Sequence, residues 1–283
     1  MIVNTRYLFA SLLKTLGIEI VGDVGSMDGA DARYFCRSFP AVRGFAFEPN
    51  PENMQRMRND ADLLAAGISL VPLAAADFDG TAGFFIIVDD SAALRDYQGM
   101  GSLLERPDHA SLSRRVQVAT TRLDTYFRRE APQCQSFALW IDVEGKAAEV
   151  VAGLTGIASA IRMIHIEVET VACIAREQKL RADVDAALRA AGFVELATDR
   201  PIDSRQFNSL YVRGDLLGQR RLAIAWRLIV AWTRRAIARR LDALQPALAQ
   251  RIIALMRKRD RRDTRRAHWQ PDSHPQSSGD RDR

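Results

Sequence analysis

The chain is poor in the residues that announce a metal or disulfide protein. Among 283 residues there are three cysteines and four histidines. Cys36, Cys134 and Cys173 are odd in number, far apart and without C-x-x-C spacing. Neither a disulfide framework nor a structural zinc site is expected, and a reducing cytoplasm is. No His/Cys/Asp cluster has metal-ligand spacing, so no metal ligand is named. No G-x-S-x-G elbow accompanies a Ser–His–Asp order. Long apolar runs are also missing. "LFASLL" (8–13) is too short for a secretory h-region and lacks a clear cleavage site. "LAIAWRLIVAW" (222–232) has 11 residues, far short of the ~20 that span a bilayer. No internal repeat is visible.

What is present fits a soluble globular protein of one large domain or two small ones, with 47% hydrophobic and 27% charged residues. The charge is unevenly placed. Residues 213–283 hold 18 Lys+Arg against 7 Asp+Glu, a net of +11, and the other 212 residues hold 22 against 28, a net of −6. The basic balance therefore belongs to the tail. It gives the body no nucleic-acid signature, and nucleic acid is not an expected partner.

Strand-like and helix-like segments alternate. "IEIVGDV" (18–24), "VRGFAFE" (42–48), "ISLVPLAA" (68–75), "FALWIDV" (137–143) and "IRMIHIEVE" (161–169) read as core strands. "GFFIIV" (83–88) reads as an extra strand, and "VQVATTRLDTYF" (116–127) as a strand leading into a helix. "FVELAT" (193–198) and "SLYVR" (209–213) read as a final pair, with one strand antiparallel. Helices are expected over 5–16, 28–38, 50–60, 146–154 and 176–191. Asn50 caps the third and Pro51 suits its first position. Residues 89–113 read as a long polar loop. Alternation of this kind means βαβ units and a mainly parallel sheet covered by helices on both faces, an α/β fold.

In such a sheet, ligands sit beyond the carboxyl ends of the strands. The polar residues gather there: Asp23, Gly25 and Gly29 after the first strand, Glu48 after the second and Asp77 after the third. Asp142 and Glu144 follow the fourth strand, and Glu167 and Glu169 end the fifth. Glycines admit a close backbone–ligand approach. Glu48 suits two ribose hydroxyls and disfavours a 2′-phosphate. The first loop, "VGDVGSMDG", is G-x-x-x-G and not G-x-G-x-x-G. Its carboxylates, Asp23 and Asp28, repel a pyrophosphate and suit a cation. S-adenosylmethionine, with a sulfonium, an ammonium and no phosphate, matches it better than a dinucleotide. Plainer roles stand beside these: glycines for strand–helix packing, Glu48 and Glu144 as helix-start acids, Asp77 in a turn, and His165 in the core.

"DVGSMDG", "AFEPNPENM", "LAAADFDGTAGF", "TTRLDTYF", "IDVEGKAAEVVAGL" and "IHIEVE", in this order and spacing, resemble the FkbM family of S-adenosylmethionine-dependent methyltransferases. The resemblance covers roughly residues 18–213. It implies a Rossmann-like class I methyltransferase fold with a mainly parallel seven-stranded sheet. It also implies methyl transfer, commonly to a hydroxyl of a sugar, glycan or natural product. By position, Asp23, Gly25 and Ser26 would line the methionine end of the cofactor. Glu48 would hold the ribose, Asp77 would face the adenine, and Asp142 would sit between cofactor and acceptor. Asp142 is the preferred base, ahead of Glu144, Glu167, His109 and His165. Two departures stand out. Ser26-Met27 replaces the usual Ala-Asn, and Trp140 stands where a lysine is common before I-D-V-E-G. The second bears on acceptor contacts more than on cofactor binding.

These readings divide the chain into a methyltransferase domain (1–213), a basic amphipathic helical extension (214–266) and a disordered tail (267–283). Trp226 and Trp232, among apolar residues flanked by arginines, suit a helix lying in an anionic membrane interface. They equally suit a helix packed on the body or on a second subunit. A non-catalytic cofactor-binding module, recruited to membrane or nucleic acid by the tail, is the alternative function. The intact acids Asp23, Glu48 and Asp142 argue against it.

Overall fold

The computed structural model describes residues 1–88, 99–107 and 112–244, with side chains as far as 238. His109 and the segment 245–283 lie outside the described residues. Residues Met1–Ala236 form one compact unit, and Ile237–Arg283 form a second, described only where it ends the last helix.

In chain order the first unit runs α1 (Thr5–Leu16), β1 (Ile20–Val24), α2 (Ala30–Ser38), β2 (Arg43–Phe47), α3 (Pro51–Arg58), α4 (Ala61–Leu64) and β3 (Ser69–Val71). It continues with β4 (Ala74–Ala75), β5 (Gly80–Ile87), β6 (Ser113–Thr121), α5 (Leu123–Glu130), β7 (Phe137–Ile141), α6 (Ala147–Ala152) and β8 (Ile161–Glu169). Then come α7 (Arg181–Ala190), β9 (Phe193–Thr198), β10 (Gln206–Arg213), α8 (Gly214–Gln219) and α9 (Arg221–Leu244). The main sheet has seven strands in the order β3-β2-β1-β7-β8-β10-β9. All are parallel except β10, which is antiparallel to both neighbours. Strand order reverses between β1 and β7, which opens a crevice at their carboxyl ends.

Local chemistry sets the element ends. Asn4 accepts the Tyr7 N–H at 2.9 Å to start α1, and Gly17 ends it at φ 63°. Asn50 accepts the Glu52 N–H at 3.0 Å, with Pro51 in the first turn, as expected. Two helices begin later than their sequence pattern suggests. Gly29 sits before α2 at φ 73°, and α7 starts only at Arg181.

"ISLVPLAA" is not one strand. Pro72 has no N–H to give a ladder, and the chain leaves the main sheet there. Ser69–Val71 stays as β3, whereas Ala74–Ala75 crosses to a separate three-stranded sheet of order β4-β6-β5. This small sheet, with the chain at 99–106, roofs one side of the crevice.

The core has a layer on each face of the main sheet. One gathers Leu123, Phe127, Val150, Leu154, Val184 and Leu188 against the strands. The other gathers Leu8, Phe9, Leu12, Leu13, Leu16 and Phe35. Each such buried side chain is worth about 1.5–3 kcal/mol against exposure. Helix α9 joins the second layer through Ile224, Leu228 and Ala231. The Arg235 guanidinium donates to the Val3 carbonyl at 2.7 Å, and Arg234 lies 4.3 Å over the Tyr7 ring.

Candidate functional site

The crevice at the switch point spans about 520 Å³, part of it open to solvent. Gly25, Glu48 and Asp142 line it, each from a different strand end. Gly25 is forced by geometry. Its φ is +82°, and a Cβ there would lie 1.7 Å from the Asp142 carbonyl oxygen. The first loop thus crosses the β7 end at backbone contact distance, which only glycine permits.

Glu48 is buried at 4% exposure and ties two loops together. Its carboxylate oxygens accept the Met27 N–H and the Asn50 N–H, each at 2.7 Å. Burial pushes its pKa up to about 7, against the lowering effect of those bonds. Asp23 and Ser26 stand behind the loop and not on the cleft wall. Asp23 Oδ2 accepts from the Ser26 hydroxyl at 2.6 Å and from the Ala32 N–H at 3.0 Å. They fix the turn that carries Gly25 and Met27. Burial, with the charge of Asp31, raises Asp23 to about 7.

Asp77 is exposed and does not line the cleft. Its carbonyl accepts from Arg122 at 2.9 Å. Within "DFDG" the working acid is Asp79, which accepts from the Thr121 hydroxyl, the Arg122 N–H and the Thr125 hydroxyl. The wall nearby is apolar: Leu73, Ala74, Ala75 and Phe84.

The acids at β7 and β8 form one cluster. Ile141 pairs with Ile166 across these parallel strands, so Asp142 and Glu167 emerge side by side. Asp142, Glu144 and Glu167 each bring a carboxylate oxygen within 4.8 Å of the others. Asp142 and Glu167 stand close enough to share a proton, because two buried like charges this near cannot both ionise. Burial and the charges of Asp142 and Glu144 hold that proton on Glu167 up to about pH 10. Asp142 is also raised by burial, with the Glu167 bond opposing. Gln206 fixes the far side of Glu167 at 2.8 Å.

Glu144 closes the cluster from a φ of +48°. Its carboxylate pairs with Arg106, and its carbonyl accepts the Ser102 hydroxyl at 2.6 Å. These bonds strap residues 99–106 to the β7 end, and Gly99, Gly101 and Leu103 of that strap line the cleft. Burial and the Asp142 charge lift Glu144 to about 7.

His165 lies in the core and not at the cleft. Its Nε2 is 3.0 Å from the Thr5 hydroxyl, and its ring stacks on Trp140 at 3.4 Å and 2°. Burial drives its pKa well down, so it is neutral. Trp140 therefore serves the core layer beneath α1. Sequence reasoning missed Met27, Phe84 and Lys146 as lining residues. Lys146 directly follows the I-D-V-E-G block, and that adjacency was the available signal.

The Glu167 proton has a measurable consequence. The unfolded chain releases it near the ordinary 4.5, and the folded protein keeps it to about 10. Stability from this group is full at low pH and is lost as pH rises through that interval. Wild type should lose stability from it as pH rises from 7 to 9, by at most about 1.4 kcal/mol per pH unit, the limit for one proton. Glu167→Gln should flatten this fall, as read by thermal melts of both proteins across pH 6–10. Parallel melting curves for the two proteins would remove the proton from Glu167.

Strand order, the switch-point crevice and its wall of acids define a class I methyltransferase. Residues 23–195 match the model of the methyltransferase FkbM domain, and the chain belongs to that family. It is an enzyme that uses S-adenosylmethionine as methyl donor. The 2-O-methyltransferase NoeI of Sinorhizobium fredii (strain NBRC 101917 / NGR234) is 28% identical over 172 residues, 59% of this chain and 70% of that protein. Solved structures with a similar chain path include magnesium protoporphyrin IX methyltransferase from Synechocystis PCC 6803 with bound S-adenosylmethionine. It has a TM-score of 0.40 and 13% identity, over 74% of this chain and 79% of that one. Precorrin-6y C5,15-methyltransferase from Geobacter metallireducens GS-15 has a TM-score of 0.37 and 13% identity, over 74% and 88%.

Proposed function

We propose that the enzyme methylates a hydroxyl of a sugar, glycan or other natural product, with Asp142 as the base. The observation that carries this is Asp142 on the cleft wall with Glu167 beside it. Because Glu167 keeps the proton, Asp142 presents a carboxylate that can take another. The name of the curated relative, a 2-O-methyltransferase, supports an oxygen acceptor.

The residues present fit the cofactor. Gly25 leaves room where a side chain would strike backbone, and Glu48 and Asp142 bring acids to the cleft wall. Bound there, S-adenosylmethionine supplies a methyl group activated on a cationic sulfur. Glu48 would meet the ribose while holding Met27 and Asn50 in place, and Leu73, Ala74, Ala75 and Phe84 would face the adenine. Asp23 and Ser26 keep the first loop in shape from behind. Asp142 accepts the acceptor's hydroxyl proton, which makes the oxygen a better nucleophile. The strap at 99–106 excludes water from the cleft. The catalytic domain is taken as residues 1–213.

Glu48→Ala should weaken S-adenosylmethionine binding by roughly 1–3 kcal/mol, the scale of a lost charge-assisted hydrogen bond. Calorimetric titration of the folded variant reads this. Unchanged affinity would remove Glu48 from the cofactor site.

We also place the enzyme in the cytoplasm, at the inner face of an anionic membrane and in glycan assembly. Support comes from three free cysteines and from the basic C-terminal segment. Among the described residues no helix is long and apolar enough to cross a membrane, so contact would be from the side.

A further inference from the structure

Helix α9 has two apolar stripes. Ile224, Leu228 and Ala231, at i, i+4 and i+7, face the body and are covered by it. Leu222, Trp226 and Ile229 repeat the same spacing about 160° round the helix. They are open to solvent at 86%, 63% and 52%, with Trp232 beside them at 51%. An apolar patch of this size on a helix already anchored to the body calls for a covering partner.

At the foot of α9 lies an open groove of about 720 Å³. Lys14, Arg220, Arg221 and Arg227 line it, and no acid does. Arg220 is fixed in place by donating to the Thr15 carbonyl. Lys14, Arg221 and Arg227 enter no ion pair among the described residues. Asp215, five residues before Arg220, is held by Arg213 at 3.2 Å. Four convergent cations without a counter-charge form a ready phosphate site, since guanidinium groups bind phosphate through paired N–H donors.

We propose that this groove takes the phosphate of an anionic phospholipid headgroup while Leu222, Trp226, Ile229 and Trp232 enter the interface beside it. The proposal rests on the peripheral placement given above and names the residues that make it. Cations beside tryptophan and aliphatic side chains are what an anionic bilayer surface selects. A two-fold contact between copies through the same face would set its arginines against each other unshielded. Single-stranded nucleic acid would use the tryptophans for stacking but would leave Leu222 and Ile229 without a role.

The test is co-sedimentation of the full chain with phosphatidylglycerol–phosphatidylcholine vesicles, and with pure phosphatidylcholine vesicles, at low and high salt. Binding should require phosphatidylglycerol and be partly released by salt. Arg221→Gln with Arg227→Gln should lower vesicle affinity about thirty-fold. Trp226→Ala with Trp232→Ala should remove the part that survives high salt. Both variants should keep the wild-type S-adenosylmethionine affinity and melting temperature. Should the tryptophan variant melt early, Leu222→Ser at the most exposed position takes its place.

No sedimentation with phosphatidylglycerol vesicles overturns the peripheral placement, and this site with it. Binding that neither double variant weakens leaves the placement standing, carried by residues beyond this helix, and overturns the site. A concentration-dependent dimer, lost in the tryptophan variant and without vesicle binding, gives the face to a second copy. Tighter binding to single-stranded DNA than to vesicles, lost in the arginine variant, gives it to nucleic acid. Either result overturns the proposal.

Discussion

Gly25→Ala is expected to abolish S-adenosylmethionine binding. The new Cβ would lie 1.7 Å from the Asp142 carbonyl oxygen, which is less than half a normal contact distance. Neither group is a flexible side chain that can step aside. Asp142 is pinned by donating its N–H to Val24 O at 2.8 Å, and the Gly25 N–H donates to Phe47 O at 3.0 Å. The first loop must therefore leave the β7 end, and the cleft wall shared by Gly25 and Asp142 opens. Left-handed strain alone costs about 1–2 kcal/mol. Gly67→Ala isolates that part, because Gly67 has φ +67° and nothing within 4 Å of the added Cβ. Gly67→Ala should melt slightly early and bind cofactor normally. Gly25→Ala should show no heat of binding in calorimetry, with a melting temperature lowered further than the control. Normal binding by Gly25→Ala would mean that the loop contact is not part of the cofactor site.

Asp142→Asn should lower turnover by about 10²–10⁴ while leaving cofactor affinity within a few-fold. The amide keeps the side-chain shape, and its backbone N–H still reaches Val24 O. It also still offers an oxygen to the protonated Glu167. What it loses is the ability to take a proton. Turnover at saturating S-adenosylmethionine, measured beside a calorimetric dissociation constant, separates the two roles. Collapsed binding with normal turnover at saturation would make Asp142 a cofactor ligand and pass the base to another group.

The parts legible in the sequence are those set by short-range pattern. Asn50-Pro51 marks a helix start, and a run such as "FALWI" marks a buried strand. Placing acids at strand ends needs only the βαβ rule, and three of the named residues, Gly25, Glu48 and Asp142, meet at one cleft. Other features depend on partners distant in the chain. The Asp142–Glu167 proton exists because β7 and β8 are neighbours in one register, which neither segment shows alone. Glu48 gives the impression of a free ribose acceptor until the Met27 and Asn50 N–H groups are seen to occupy it. Asp77 and Asp79 look alike in "DFDG", and only the fold brings Asp79 to the Thr121 and Thr125 hydroxyls. The departure of Ala74–Ala75 into a second sheet hinges on Pro72, whose missing N–H is visible in the sequence but whose destination is not. For His165, the flanking isoleucines pointed to the core, and the stack on Trp140 accounts for both residues at once.

The central claim is that the crevice between the β1 and β7 ends is an S-adenosylmethionine site. Its most direct test is calorimetric titration of the full chain with S-adenosylmethionine and, separately, with NAD. The account predicts saturable one-to-one binding of S-adenosylmethionine and none of NAD. Binding of NAD in its place, or no binding of S-adenosylmethionine to the folded protein, would contradict it.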